Sequence, residues 1–114
     1  MPHYYASKAV LPNVCVSLAK ELSGSGITVN VVSPGVIGTT EVKAMLRARA
    51  KKNGWGESEE ALSRAASEVF DSPLGRIAEL DEVASVVAFL ASTQAGYING
   101  ANIRVDGGAS DCAV

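Results

Sequence analysis

The 114-residue sequence is poor in cysteine, histidine and aromatic residues. Its two cysteines, Cys15 and Cys112, fit neither a metal-ligand spacing nor a disulfide framework. We therefore expect a buried thiol at Cys15 and a free thiol near the tail. The only histidine, His3, has no second ligand near it in the sequence, so we expect a packing or hydrogen-bonding role and no metal site.

The chain also lacks an excess of positive charge and a long apolar run. Ten basic and twelve acidic residues give a net charge of −2, which excludes an electrostatic argument for binding nucleic acid or an anionic membrane. No apolar run approaches the ~20 residues that span a bilayer, and Met1–Tyr5 does not resemble a secretory signal. We expect a cytoplasmic protein with one folding unit over residues 1–114.

The first third of the sequence predicts a long helix followed by a strand. Apolar residues at helical spacing favour a helix from about Pro2 to Ser23. Pro12 predicts a kink there, because it removes a backbone donor and crowds the carbonyl of Lys8. The β-branched run Ile27–Val32 predicts a strand that is buried on both faces.

The middle of the sequence predicts two charged helices. Thr39 or Thr40 can cap a helix from about Glu41 to Lys52, and Ser58 can cap another from about Glu59 to Phe70. Most of the chain's charge lies between residues 41 and 76, so we expect this region to be a solvated excursion, such as a flap.

The remaining sequence predicts one more helix and one more strand. Asp81 and Glu82 suit the first turn of a helix, and the segment Ala101–Val105 favours a strand that ends at Asp106. Two strands joined through a helix indicate an α/β fold with a right-handed parallel crossover. Because two strands are too few for a stable sheet, the pattern predicts an incomplete domain.

Tyr4 and Lys8 are four residues apart on the first predicted helix, so their side chains project from one face. A free phenol, with a pKa near ~10, is a poor acid at neutral pH. A nearby ammonium group favours the phenolate. Such a pair can exchange a proton with a carbonyl or alcohol while hydride moves on the carbon.

An ordered set of motifs surrounds this pair. It comprises Tyr4–Lys8, Pro34–Thr39, Pro73–Arg76, Asp81–Ala84, Asn99–Gly100 and Val105–Gly108. In this order and spacing the set resembles the C-terminal half of the short-chain dehydrogenase/reductase family, and it is similar to the subgroup that includes the 3-oxoacyl-carrier-protein reductases. The resemblance implies the C-terminal part of a Rossmann-like, doubly wound parallel sheet, with two strands and covering helices.

The resemblance also implies residue roles. Tyr4 is the implied general acid/base, and Lys8 activates it and binds the nicotinamide ribose of NAD or NADP. Pro34 and Gly35 pack beside the nicotinamide, Ile37 offers backbone groups to the carboxamide, and Thr39 offers a hydroxyl near the carboxamide or pyrophosphate. Residues 41–76 form the implied substrate flap, and the strand near Ile103 belongs to a subunit interface.

Simpler interpretations exist for several of these residues. Pro34–Gly35 can be only a turn that ends a strand, and Thr39 can be only a helix cap. Trp55, between two glycines, is more typical of a flap residue that packs on its own domain than of a substrate contact.

The 114 residues contain no glycine-rich turn between a strand and a helix. Gly24–Gly26 follows a helix and precedes a strand, which is the reverse polarity. The catalytic serine that the family pattern needs is also not assignable. We therefore expect that this chain alone binds NAD or NADP weakly or not at all and is inactive as a dehydrogenase.

Three hypotheses for the function follow. The first is an oxidoreductase remnant or fragment, and the second is a non-enzymatic module that self-associates or docks on a complete family member. The third is a plain helical domain with a chance Tyr–Lys pair. Because an apolar strand edge recruits other strands, we expect at least a homodimer through the Ile27–Val32 edge, the first helix, or both.

Overall fold

A computed structural model describes residues 1–111, so Cys112 lies outside the described residues. It contains five helices and two strands, together with one 3₁₀ turn at Thr93–Ala95. In chain order these are α1 (Pro2–Ala9), α2 (Leu11–Glu21), β1 (Val31–Pro34), α3 (Thr40–Lys52), α4 (Glu59–Val69), α5 (Leu80–Leu90) and β2 (Asn102–Val105). No helix within residues 1–111 is both long and apolar enough to cross a membrane.

The two strands β1 and β2 form one parallel sheet. The N–H of Val31 donates to the Ala101 carbonyl at 2.8 Å, and the N–H of Gly35 donates to the Val105 carbonyl at 3.0 Å. Since the helical segments α3–α5 connect the two strands, the predicted α/β architecture with a crossover through helices is confirmed.

The chain divides into two compact units. The first unit comprises Met1–Ser33 and Ser85–Arg104, and the second comprises Pro34–Ala84 and Val105–Val114. That the whole chain folds cooperatively as one unit stays a prediction.

In the first unit the predicted long helix is interrupted at one residue, Val10, which keeps helical backbone angles (φ −78°, ψ −21°), so the disturbance predicted near Pro12 is confirmed. Helix α1 ends at Ala9 and α2 begins at Leu11, with Val10 between them. Pro12 lies in the first turn of α2, where its missing donor costs nothing. The break therefore removes the clash between the proline ring and the carbonyl of Lys8 that a continuous helix would create.

The core of the first unit is small. Cys15 is 4% exposed, and its thiol donates to the Val29 carbonyl at 3.1 Å. Ala19 and Ala95 are also buried. The expectation of a buried thiol at Cys15 is therefore confirmed.

The predicted strand at Ile27–Val32 is correct in position but wrong in its bounds, because β1 begins only at Val31. Before Val31, the Gly100 N–H donates to the Val29 carbonyl at 2.7 Å, and two asparagine side chains make the other bonds between these segments. The Asn99 side chain accepts from the Val29 N–H at 2.8 Å. The Asn30 side chain accepts from the Ala101 N–H at 3.0 Å and donates to the Ile98 carbonyl at 2.9 Å.

The second unit holds the main hydrophobic core, in the helical hairpin α3–α4. Five buried residues form this core, and they are Leu46, Ala50, Ala61, Ala65 and Ala66. The side chains of Thr39 and Ser58 cap the two helices, as the sequence predicts. Small alanines let the two helices pack closely on one another, and the assignment of residues 41–76 to a solvated flap stays a prediction.

Trp55 occupies the loop that joins α3 to α4. It packs against the hairpin core, and the Arg64 guanidinium lies 4.2 Å from the centroid of its ring. The interpretation of Trp55 as a residue that packs on its own domain is confirmed.

Candidate functional site

Tyr4 and Lys8 lie on one face of α1, as their spacing predicts. The Lys8 Nζ atom is 5.8 Å from the centroid of the Tyr4 ring. Pro2 suits the first turn of this helix, and the Ser7 hydroxyl donates to the Tyr4 carbonyl at 2.7 Å. The helix therefore holds a phenol and an ammonium group side by side.

The Tyr4 side chain is open to solvent. The residue is 47% exposed, and no hydrogen bond to its hydroxyl occurs among residues 1–111. None of the residues of α1 is buried by the described chain. The phenol can therefore meet an external carbonyl or alcohol oxygen without displacing a partner.

Pro34 and Gly35 mark the end of β1, which agrees with their simpler interpretation as a strand-ending turn. A Cβ atom on Gly35 would lie only 2.8 Å from the Cα atom of Asp106. Glycine is therefore needed at position 35 for a close backbone approach within the second unit, independently of any ligand.

Ile37 takes part in a parallel bridge that the sequence analysis missed. The Gly38 N–H donates to the Ala78 carbonyl at 2.8 Å, and the Ala78 N–H donates to the Val36 carbonyl at 3.0 Å. In a parallel bridge, the N–H and C=O of the residue between these bonds point to the other side. The Ile37 carbonyl accepts from the Thr39 N–H. The Ile37 N–H has no partner among residues 1–111.

Thr39 is the N-cap of α3, and its side chain accepts from the Val42 N–H at 3.3 Å. Two hydrogen bonds hold the pKa of the Glu41 carboxyl below its usual range, first from its own backbone and then from the Thr39 hydroxyl.

Sequence reasoning missed a forked ion pair between Arg76 and Glu82. Two guanidinium nitrogens each donate to a carboxylate oxygen at 2.7 Å, and the Glu79 N–H donates to the same carboxylate at 2.8 Å. These donors, the guanidinium first, lower the pKa of Glu82 to about 2. The sequence offered one indication of this pair, because Arg76 precedes α5 and Glu82 lies in the first turn of α5.

The candidate residues fall into two sets. Tyr4 and Lys8 belong to the first unit, whereas Pro34, Gly35, Ile37 and Thr39 follow one another in the second. Within residues 1–111 no group of three or more histidine, cysteine, aspartate or glutamate side chains is placed to hold a metal ion.

Comparison with known protein families gives a match over nearly the whole chain. Residues 1–110 match the family model described as enoyl-(acyl carrier protein) reductase. Over 106 residues the chain is 40% identical to the 3-oxoacyl-(acyl-carrier-protein) reductase FabG of Haemophilus influenzae, which covers 93% of this chain and 38% of that protein. It is 38% identical over 110 residues to meso-2,3-butanediol dehydrogenase of Serratia marcescens, covering 95% of this chain and 37% of that protein.

Solved structures show the same relationship. The L-sorbose reductase of Gluconobacter frateurii, in complex with NADPH and L-sorbose, matches with a TM-score of 0.79 and 33% identity over 99% of this chain and 42% of that chain. A short chain dehydrogenase family protein from Francisella tularensis matches with a TM-score of 0.71 and 33% identity over 92% of this chain and 42% of that chain.

The chain thus spans about two fifths of the length of the relatives that it matches. The structural neighbours have the Rossmann fold, so the predicted fold class, part of a Rossmann-like parallel sheet with covering helices, is confirmed. The sequence match over residues 1–110 and the agreement of the folds lead to one assignment. The chain belongs to the short-chain dehydrogenase/reductase family.

Proposed function

We propose that this chain supplies the acid–base pair of an NAD(P)(H)-dependent oxidoreductase that interconverts a carbonyl compound and an alcohol. The observation that carries the proposal is the geometry of α1, which holds the Lys8 ammonium 5.8 Å from the centroid of the Tyr4 ring. Membership of the family supplies the reaction class.

In this proposal Tyr4 is the general acid and base. Its hydroxyl donates a proton to the carbonyl oxygen during reduction and takes a proton from the alcohol during oxidation. Lys8 stabilises the phenolate by its positive charge and donates hydrogen bonds to the ribose hydroxyls of the cofactor. The nicotinamide, when bound, supplies or accepts the hydride.

The second unit has groups that fit the nicotinamide end of NAD or NADP. Ile37 has a backbone N–H with no partner among residues 1–111, which suits the carboxamide oxygen. Pro34 and Gly35 would pack beside the ring. Thr39 would offer its hydroxyl near the carboxamide or the pyrophosphate.

We also propose that the 114 residues alone are inactive. They contain no glycine-rich turn for the pyrophosphate and no assignable serine to orient the substrate carbonyl. One such donor typically contributes about 2.7–4 kcal/mol in the transition state. The activity therefore needs further protein surface that these residues do not supply.

Self-association is the alternative proposal, and a specific observation favours it. Neither α1 nor α5 contains a buried residue within the described chain, and α2 exposes Val14 and Leu18. β1 pairs on one side only among the described residues. Apolar helix faces and a free strand edge suit a homodimer.

A chimera tests the proposed oxidoreductase function. This chain would replace the matching part of the L-sorbose reductase of Gluconobacter frateurii, so that the remaining part binds NADPH. We expect NADPH-dependent reduction of a carbonyl substrate, followed by the fall in absorbance of NADPH. Replacing Lys8 by Met should lower kcat about 10²-fold, in the range of a lost acid–base group.

The matched control is Lys20→Met, which removes an exposed lysine from α2 and should leave kcat within about twofold. A folded chimera that binds NADPH without turnover contradicts the proposal. So do equal rates for Lys8→Met and Lys20→Met.

A further inference from the structure

The second unit contains a cavity of about 250 Å³ between α3, α4 and residues 76–79. Its apolar lining comes from Leu46, Leu62, Ala66 and Ile77. Leu46 is 1% exposed and Ala66 is 5% exposed, so this part of the cavity wall belongs to the hairpin core. The volume lies below the ~300–1,000 Å³ of pockets for drug-sized ligands, which limits an occupant to a small metabolite.

Most charges around this cavity neutralise one another. Lys43 pairs with Glu79 at 3.2 Å. Arg76 also lines the cavity, and its guanidinium is bound by both carboxylate oxygens of Glu82. These two pairs contribute no net charge that a ligand could use.

Two lining side chains keep an unpaired charge. Arg47 on α3 and Glu59 at the start of α4 form no ion pair among residues 1–111, and they do not pair with each other. Within the part of the chain that the structure describes, the cavity lining therefore has one unpaired cation on α3 and one unpaired anion on α4, beside apolar side chains. A zwitterionic ligand offers a partner to each of these two charges.

We propose that this cavity binds an aliphatic L-α-amino acid of about the size of leucine. The Arg47 guanidinium donates two parallel hydrogen bonds to the ligand's carboxylate, which its planar geometry favours. The Glu59 carboxylate binds the ligand's ammonium group, and the side chain covers Leu46 and Leu62. This site lies within the second unit and does not depend on the acid–base role of Tyr4.

Calorimetric titration of the 114-residue chain with L-leucine tests the proposal. We expect saturable binding at one site per chain. Replacing Arg47 by Gln or Glu59 by Gln should each weaken the affinity about tenfold, the effect of one lost charge-assisted hydrogen bond. Both residues are exposed, so neither replacement disturbs the core.

The control variants each remove a charge of the same sign from a residue that does not line the cavity. Lys51→Gln on α3 and Glu60→Gln beside Glu59 should bind L-leucine as the unchanged chain does. Two truncated ligands separate the charges, because 4-methylpentanoate lacks the ammonium group and 3-methylbutylamine lacks the carboxylate. Arg47→Gln should weaken the binding of 4-methylpentanoate but not of 3-methylbutylamine. Glu59→Gln should weaken the binding of 3-methylbutylamine but not of 4-methylpentanoate.

Three results would overturn the proposal. The first is no saturable binding of L-leucine at millimolar concentration. The second is equal affinity in Arg47→Gln, Glu59→Gln and their controls. The third is 4-methylpentanoate binding as tightly as L-leucine, because the ammonium group would then contribute nothing.

Discussion

At the scale of single residues, the carboxylate of Glu82 has three close donors. It accepts from two nitrogens of Arg76 and from the backbone of Glu79. A surface ion pair usually contributes little to stability, but a forked geometry with a third donor at a helix start is more favourable. The link between residues 76 and 82 thereby fixes the beginning of α5.

This link predicts an acid-sensitive contribution to stability. The pKa of Glu82 is lowered from 4.5 to about 2 in the folded chain, so its stabilisation is fully present above pH 4.5 and is lost as the pH falls towards 2. The free energy of unfolding of the unchanged chain should exceed that of Glu82→Gln by a constant amount above about pH 5. The difference should shrink below that pH.

Urea denaturation followed by circular dichroism at a series of pH values measures this difference. Glu60→Gln serves as the control, because Glu60 forms no ion pair within residues 1–111. The prediction is wrong if the difference in free energy of unfolding between the unchanged chain and Glu82→Gln stays constant down to pH 2.5.

The spacing of residues along the sequence predicts which side chains share a helix face better than it predicts which backbone groups pair. Tyr4 and Lys8 share a face because four residues make about one helical turn, and spacing alone contains that information. The bridge between Ile37 and Ala78 joins residues 41 positions apart. No local pattern encodes such a pairing, so the unpaired N–H of Ile37 became visible only in the structure.

At the scale of elements, the ends of the helices were predictable because capping is local chemistry. Ser58 and Thr39 cap α4 and α3 through their own side chains. The start of β1 was not predictable, because the side chains of Asn30 and Asn99 bond backbone groups about 70 residues away in the sequence. β-branched residues indicate an extended chain, but they do not show which groups satisfy its backbone.

The exposed elements predict self-association. α1, the apolar side chains of α2 and the free edge of β1 should be covered in a dimer or larger assembly, because isolated two-stranded sheets are marginally stable. Multi-angle light scattering at micromolar concentration should give at least twice the mass of one chain. Replacing Val14 and Leu18 by Ser should shift the population towards single chains.

The matched control replaces Ala44 and Ala48 of α3, which are exposed, by Ser. This variant should keep the mass of the unchanged chain. A mass equal to one chain, measured for the unchanged protein at micromolar concentration, contradicts the prediction.

At the scale of the whole molecule, the distribution of buried residues is uneven. Five of the eight buried apolar residues of the described chain belong to the α3–α4 hairpin, and α1 has none. The charged composition of residues 41–76 concealed this core, because alanine contributes little to an apolar pattern. Helix α1, which carries the proposed acid–base pair, and α5 have no buried residue within the described chain.

This imbalance predicts that the chain alone does not hold a nicotinamide cofactor tightly. Calorimetric titration with NADH and with NADPH should show no saturable binding at micromolar concentration. The chimera, which carries the remaining part of a relative, should bind NADPH under the same conditions. Tight binding of either cofactor by the chain alone contradicts this prediction.

The acid–base assignment is tested most directly by two neighbouring tyrosines of α1. In the chimera with L-sorbose reductase, Tyr4→Phe and Tyr5→Phe each remove one hydroxyl from adjacent positions. We predict that Tyr4→Phe lowers kcat about 10²–10⁴-fold, while Tyr5→Phe stays within about twofold of the unchanged chimera. Equal kcat values for the two variants would contradict the account.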